Sequence, residues 1–304
     1  MRIADFFIIG AAKCGTTSLQ SYLGQHPDIA FSRYKEPNFY ALEGASLPEP
    51  GPVSSERMFA QIYDHCITSF DDYQQQFVHC QNDKVIGDAS VRHLYYPEAA
   101  KRIAKRVPNA KLVAVLREPV SRLYSHYCMN KQYDLEPLSL EEALAAEPER
   151  MAKGWGWDWH YANVGMYGAQ LSTYLQHFER EQMMFVLYDD YLADQHKIIS
   201  DICRFLDVDD RFEANTSSRG KVPYWPRHHS FDRWLHGKTP FRKALKRRPV
   251  GWLVEPGLNA LDRMNRQAVP KLAESVAANI SHHFKEDVML LEEILGRKVP
   301  WKHY

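Results

Sequence analysis

Long hydrophobic runs are missing from this chain of 304 residues. None reaches the roughly 18 residues that a membrane-crossing helix needs. The apolar start, Ile3 to Ala12, runs straight into a glycine-bearing loop with no cleavage site behind it. A soluble, non-secreted, cytoplasmic protein is the expectation. Charge of one sign is also absent: 38 basic residues face 38 acidic ones and the pI is near 7.2, so bulk charge does not point to nucleic acid and any anion binding must come from local placement. Cysteine is sparse, with five residues, odd in number and scattered at positions 14, 66, 80, 128 and 203. No C-x-x-C pair occurs, so neither a disulfide framework nor structural zinc is expected. Cys66 and Cys80 are the candidates for a pair, with the reduced state as the expectation. Internal repeats and low-complexity tracts are lacking too. The length suffices for one large α/β domain or two smaller ones.

What is present begins at Phe6. Phe6 to Ile9 form a short continuous apolar run, which reads as a buried parallel strand. A loop with Gly10 and Gly15 follows, and Thr16 opens a helix with Leu19 and Leu23 on one face. Strand, glycine loop and helix N-terminus make an anion site, because backbone N–H groups converge there and the helix dipole favours negative charge. The spacing resembles the nucleoside-triphosphate P-loop, G-x-x-x-x-G-K-[ST], except that Thr16 stands where the lysine belongs and the loop's only lysine is Lys13, at its middle. A mid-loop lysine leans over the first phosphate and whatever bridges from it. The loop therefore suits a nucleotide whose single 5′-phosphate carries a different transferable group. The ordinary alternative is a βα turn with glycines for geometry only.

Downstream, Ile29–Phe31, Val85–Gly87, Lys111–Leu116 and Met183–Leu187 read as further strands. Helices are predicted from Thr16 to near His26-Pro27, over Pro97–Val107, from Pro119, over Leu138–Ala146, Tyr167–Phe178 and Asp194–Leu206, and as one closing helix over Val276–Leu295. A short outer helix is predicted at Phe70-Asp71-Asp72-Tyr73. Strands alternating with helices predict one α/β domain over residues 1–304, with a mostly parallel central sheet flanked by helices in three P-loop-like layers and ligands at the strands' carboxyl ends. Residues 223–271 form a variable, partly basic helical segment.

The second informative block is Arg117-Glu118-Pro119-Val120-Ser121-Arg122-Leu123-Tyr124-Ser125. Arg117 ends the clearest strand just before a helix, and Ser125, eight residues on, lies only ~80° past two full turns, so guanidinium and hydroxyl can converge on one anion. An arginine that caps carbonyls or pairs with an acid is the alternative. Together with the first loop, the block implies a ligand with two separate phosphates.

Phe7 to Leu19 and Arg117 to Ser125 resemble the 5′-phosphosulfate loop and the 3′-phosphate block of sulfotransferases. The heparan sulfate sulfotransferases and their bacterial relatives are the nearest branch. Lys35-Glu36-Pro37-Asn38-Phe39-Tyr40, Gly165-Met166-Tyr167 and His282-His283-Phe284-Lys285-Glu286-Asp287 extend the likeness over most of the chain. The resemblance implies 3′-phosphoadenosine 5′-phosphosulfate as donor, its 3′,5′-bisphosphate (PAP) as product, and no metal. It implies that Lys13 contacts the phosphosulfate bridge, that Cys14, Gly15, Thr16, Thr17 and Ser18 hold the 5′-phosphate, and that Arg117 and Ser125 hold the 3′-phosphate. Arg219 and Lys221, in a late basic loop, would close over the latter. Glu36, just before Pro37-Asn38-Phe39, stands where that branch has its base. A carboxylate paired with Lys35 or Arg33 is the plainer reading, and His93 and His126 are fallback bases.

The sequence departs from the family at Asp88-Ala89-Ser90-Val91, where Ala89 replaces a lysine near the acceptor; Asp88 and Arg92 remain as candidate acceptor contacts. Trp157 and Trp159, with Trp155 and Tyr161, suggest either a stacking platform for an acceptor or simple packing. Basic residues from Arg242 to Arg248 suggest contact with an anionic membrane or acidic glycan, or a solvated helix face. The expected activity is in-line sulfuryl transfer to a hydroxyl, of a carbohydrate or glycoconjugate first and of a small-molecule natural product second. A non-catalytic nucleotide-binding module and a P-loop kinase are the alternatives.

Overall fold

Five short apolar runs pair in parallel to form the centre of the molecule: β1 (Phe6–Gly10), β2 (Ile29–Phe31), β3 (Val85–Asp88), β4 (Lys111–Leu116) and β5 (Met183–Leu187), in the order β2-β3-β1-β4-β5. The computed structural model describes residues 2–80, 83–217, 224–236 and 251–304. Every residue of β1 is buried, as are the last five of β4, because helices cover both faces of the sheet; this is why the strands read as unbroken apolar runs. All five stand where the sequence places them, within one residue.

The order brings β1 and β4 side by side while their following helices leave in opposite directions, towards β2 and towards β5. The carboxyl ends of β1 and β4 therefore border the crevice of the sheet, where open α/β folds bind ligands. Gly10 ends β1 where no side chain fits: a Cβ there would lie 2.7 Å from that of Leu94.

The closing helix departs from expectation. It is broken into Glu274–Ser281, a 3₁₀ turn His282–Phe284, and Lys285–Leu295. The break buries Phe284 completely and aims the Asp287 carboxylate at the backbone N–H groups of Gly168 and Ala169 (2.9 and 2.8 Å), capping helix Tyr167–Leu175. Gly168 permits this approach, since a Cβ there would sit 2.4 Å from the Asp287 carbonyl oxygen. Helix Phe70–Gln75 forms as predicted, although its Tyr73 is fully buried rather than on the outside. Beyond the main sheet, β6 (Tyr224–Pro226) and β7 (Arg266–Ala268) pair antiparallel beside helices His229–His236 and Gly251–Asn265. The basic cluster from Arg242 to Arg248 lies outside the described residues. Among the described residues no helix is long and apolar enough to cross a membrane.

Candidate active site

The glycine loop leaves β1 with Lys13 and Gly15 both in the left-handed region (φ 69° and 79°). Gly15 suits that conformation, and a Cβ there would also come within 2.9 Å of the Tyr188 ring. It precedes helix Thr16–Leu23, whose first turn has no side-chain cap. Helices Phe70–Gln75, Pro119–Gln132, Leu140–Ala145 and Gln195–Phe205 each have one, from Ser69, Glu118, Ser139 and Asp194, whereas Pro97–Arg106, Glu274–Ser281 and Lys285–Leu295 also start without one. The uncapped N–H groups and the dipole of the first helix therefore face the loop without a local acceptor, as an anion cradle requires.

Lys13 is partly buried, its Nζ 3.3 Å from the Met129 sulfur. Burial pushes its pKa below the usual lysine value; the nearby Glu36 carboxylate pushes back, while Arg117 and Arg122 add to the lowering. Arg117, at the end of β4, donates to the Lys13 carbonyl (3.3 Å) and lies over the Tyr188 ring at 5.1 Å. Tyr167 fixes it from behind by donating to the Arg117 carbonyl (3.0 Å). Ser125 lies partly exposed two turns into helix Pro119–Gln132. The Glu118 carboxylate accepts from Val120 and Ser121 N–H (2.9 and 2.6 Å), so this second helix start is closed by its own acid. That leaves the Arg117 side chain, not the helix terminus, as the candidate anion contact there.

Arg122 adds a third cation. It is fully buried, with Nη2 donating to the Tyr161 carbonyl and Nη1 at 3.3 Å from His126 Nδ1. Burial holds its pKa below the usual arginine value. The residue stands in the block already singled out by sequence, but no local pattern marks it as buried.

Glu36 sits on a turn where it and Asn38 are both left-handed (φ 57° and 56°). Its carboxylate is ion-paired with Lys35. The Asn38 amide side chain donates to the Glu36 carbonyl (2.8 Å), and the Asn38 backbone N–H donates to Ser90 Oγ (3.0 Å). Lys13 thus has both the Glu36 carboxylate and the Arg117 guanidinium near enough to act on its charge. Among the described residues no group of His, Cys, Asp and Glu side chains has the arrangement to hold a metal ion.

Several expected contacts are corrected. Asp88 is fully buried and accepts from Tyr73 OH and Ser90 Oγ (2.9 and 2.6 Å), so it cannot touch an acceptor. Arg92 is 2% exposed, bonded to Asp158 and Glu49 and lying over the Tyr63 and Trp157 rings, and does not replace the missing lysine. Trp159 is completely buried and donates from its indole nitrogen to the Leu135 carbonyl (3.2 Å). Trp157 is buried against Arg92 and His126. Both tryptophans pack the domain and are no platform. His93 and His126 are fully buried as well; burial drives the His93 pKa down to about 3 and that of His126 well below the usual value, so neither is a base. Cys66 and Cys80 are both free, Cys66 in contact with Asn38 and Cys80 with the Phe31 carbonyl. Arg219 and Lys221 lie outside the described residues.

Residues 5–213 match the sequence pattern described as the sulfotransferase family. The bifunctional heparan sulfate N-deacetylase/N-sulfotransferase 1 of Caenorhabditis briggsae is 26% identical over 295 residues, covering 90% of this chain and 31% of that one. Human carbohydrate sulfotransferase 15 is 24% identical over 285 residues, covering 81% and 51%. The chain thus spans between about a third and a half of the length of these curated relatives. A crystal structure of a sulfotransferase from Alicyclobacillus acidocaldarius superposes with a TM-score of 0.73 at 29% identity, over 98% of both chains.

Proposed function

The chain belongs to the sulfotransferase family, a family of transferases, and we propose that it moves a sulfuryl group from 3′-phosphoadenosine 5′-phosphosulfate to a hydroxyl of a carbohydrate or glycoconjugate. The single observation that carries this reading is the pairing of Lys13 and Arg117 at the ends of adjacent central strands, beside an uncapped helix start. These are two cationic sites for two phosphates, the first with a mid-loop lysine. The donor fits the residues present: the left-handed Gly15 and the N–H groups of Thr16, Thr17 and Ser18 suit its 5′-phosphate, and Arg117 with Ser125 suits its 3′-phosphate. When bound, the donor supplies an activated sulfuryl group on a phosphate leaving group. Lys13 places positive charge where negative charge grows on that leaving oxygen. Glu36 accepts the acceptor's proton, which requires it to exchange its contact with Lys35 for the hydroxyl. Carbohydrate is preferred as acceptor because the two curated relatives described above are named for heparan sulfate and carbohydrate sulfation.

The test is a sulfate-transfer assay with purified variants. Lys13→Ala and Glu36→Gln should each lower kcat by ~10²-fold or more, with Glu36→Gln leaving the affinity for the bisphosphate product unchanged. Full activity in Glu36→Gln removes Glu36 as the base.

A further inference from the structure

We infer that Asp88 and Ser90 are positioning residues for Glu36, fixing the turn that carries it to the end of β3; this rests on Glu36 being the base. The turn needs fixing. Glu36 and Asn38 are both left-handed, a conformation that asparagine tolerates and glutamate rarely adopts. Between them the Pro37 carbonyl accepts from Ile67 N–H (2.8 Å), and the Asn38 side chain closes the turn on the Glu36 carbonyl. These bonds join loop to loop. The bond that ties the turn to the segment leaving β3 is the one from Asn38 N–H to Ser90 Oγ, and Ser90 is in turn bonded to Asp88 at the end of that strand.

That bond depends on where the Ser90 proton points. A hydroxyl has one donor and two acceptor positions, and it rotates to suit its neighbours. Asp88 Oδ1 takes the Ser90 proton at 2.6 Å and thereby turns a lone pair towards Asn38 N–H. The second carboxylate oxygen is held by Tyr73 OH at 2.9 Å, which stops the carboxylate from rotating. Asp88, Ser90 and Asn38 are all buried. A fully buried carboxylate held by two hydroxyls is a costly way to fill a core position; here it orients a single hydrogen bond two residues from Glu36. The network is not part of the donor cradle, which lies on β1 and β4.

The experiment compares Ser90→Ala, Ser90→Thr and Asp88→Asn in the whole 304-residue chain. It measures kcat, acceptor KM and affinity for adenosine 3′,5′-bisphosphate, with circular dichroism to establish folding. A loosened base costs turnover rather than binding, so Ser90→Ala should lower kcat about tenfold and leave acceptor KM and bisphosphate affinity within about twofold. Ser90→Thr keeps the hydroxyl and should recover most of the loss. Asp88→Asn retains one carbonyl acceptor and should fall between, which keeps the test open if the alanine variant does not fold. Placed on Glu36→Gln, Ser90→Ala should have no further effect on kcat, because the group it positions is gone. Wild-type kcat in folded Ser90→Ala and Asp88→Asn overturns the inference, as does an equal loss from Ser90→Ala with and without Glu36. Full activity in Glu36→Gln alone removes the base itself, and is thereby distinguished from a failure of the positioning.

Discussion

Replacing Asp88 by asparagine removes a charge from a place where charge is unfavourable, and the effect on stability can be worked out. Burial pushes the Asp88 carboxyl up from its usual 3.8 to about 6, against the hydrogen bonds from Ser90 and Tyr73, which favour the ionised form. A carboxyl with a raised folded pKa stabilises the fold only while both states are protonated. As pH rises from about 4, the unfolded chain ionises first, and stability is lost progressively until the folded group ionises near 6. A shift of about 2 units corresponds to about 3 kcal/mol in full, of which about 2 kcal/mol develops between about pH 4 and about pH 7.5. Asparagine has no such term. It does leave one of the two hydroxyls poorly paired, a roughly pH-independent loss of about 1 kcal/mol. Urea unfolding of wild type and Asp88→Asn across that range should therefore give a stability difference that shifts in favour of the variant with rising pH, by about 2 kcal/mol. Other titrating groups cancel in the comparison. Parallel curves, or a difference running the other way, would refute the raised pKa and the buried, ionisable network it describes.

Arg117→Ala should weaken binding of a 3′-phosphorylated adenine nucleotide by about tenfold or more and its 3′-dephosphorylated analogue hardly at all, measured by calorimetry; equal losses sink the 3′-phosphate assignment. Lys13→Met removes a partly desolvated cation flanked by Arg117 and Arg122, so it should raise the melting temperature of the unliganded protein by roughly 2 °C while abolishing most turnover. An unchanged or lower melting temperature would show that the loop's positive charge carries no folding penalty. Trp159→Ala should cost about 3–5 kcal/mol of stability as a core truncation. Under conditions where it is folded it should leave acceptor KM near the wild-type value; a selective rise in KM would restore the stacking platform.

Much of the frame was legible because parallel strands covered on both faces leave a signal that survives in sequence. Phe6–Ile9 and Lys111–Leu116 are unbroken apolar runs, each followed by a polar or glycine-bearing loop, and their adjacency explains why Lys13 and Arg117 share a crevice. Side-chain partners far apart in sequence were not legible. Nothing local in the sequence marks the partners of Arg92, since Glu49 and Asp158 lie 43 and 66 residues away. Trp157 and Trp159 have the same composition whether a loop presents or buries them. Asp88 stood next to a missing lysine and so drew a substrate role, when the tertiary fold had already given both its oxygens to Tyr73 and Ser90. The break at His282–Phe284 leaves no local signal for a related reason, since the apolar pattern continues through it and only the distant Gly168 and Ala169 N–H groups account for where Asp287 points.

The central position of β1 bears on how the chain is made. Phe6 pairs with Gly87 on one side and Lys111 on the other, so the most buried strand finds no partner among its near neighbours in sequence. During synthesis the segment from Phe6 to Gly10 leaves the ribosome before either of its neighbours, and it acquires both only after Leu116 has emerged. At ~5–20 residues per second that leaves an apolar strand uncovered for about 5–20 s, with loop-closure entropy opposing early pairing. The two aromatic rings that anchor the finished sheet are, for that interval, an adhesive stretch on a nascent chain. Its safe passage depends on translation speed and on chaperones that shield it until its partners emerge.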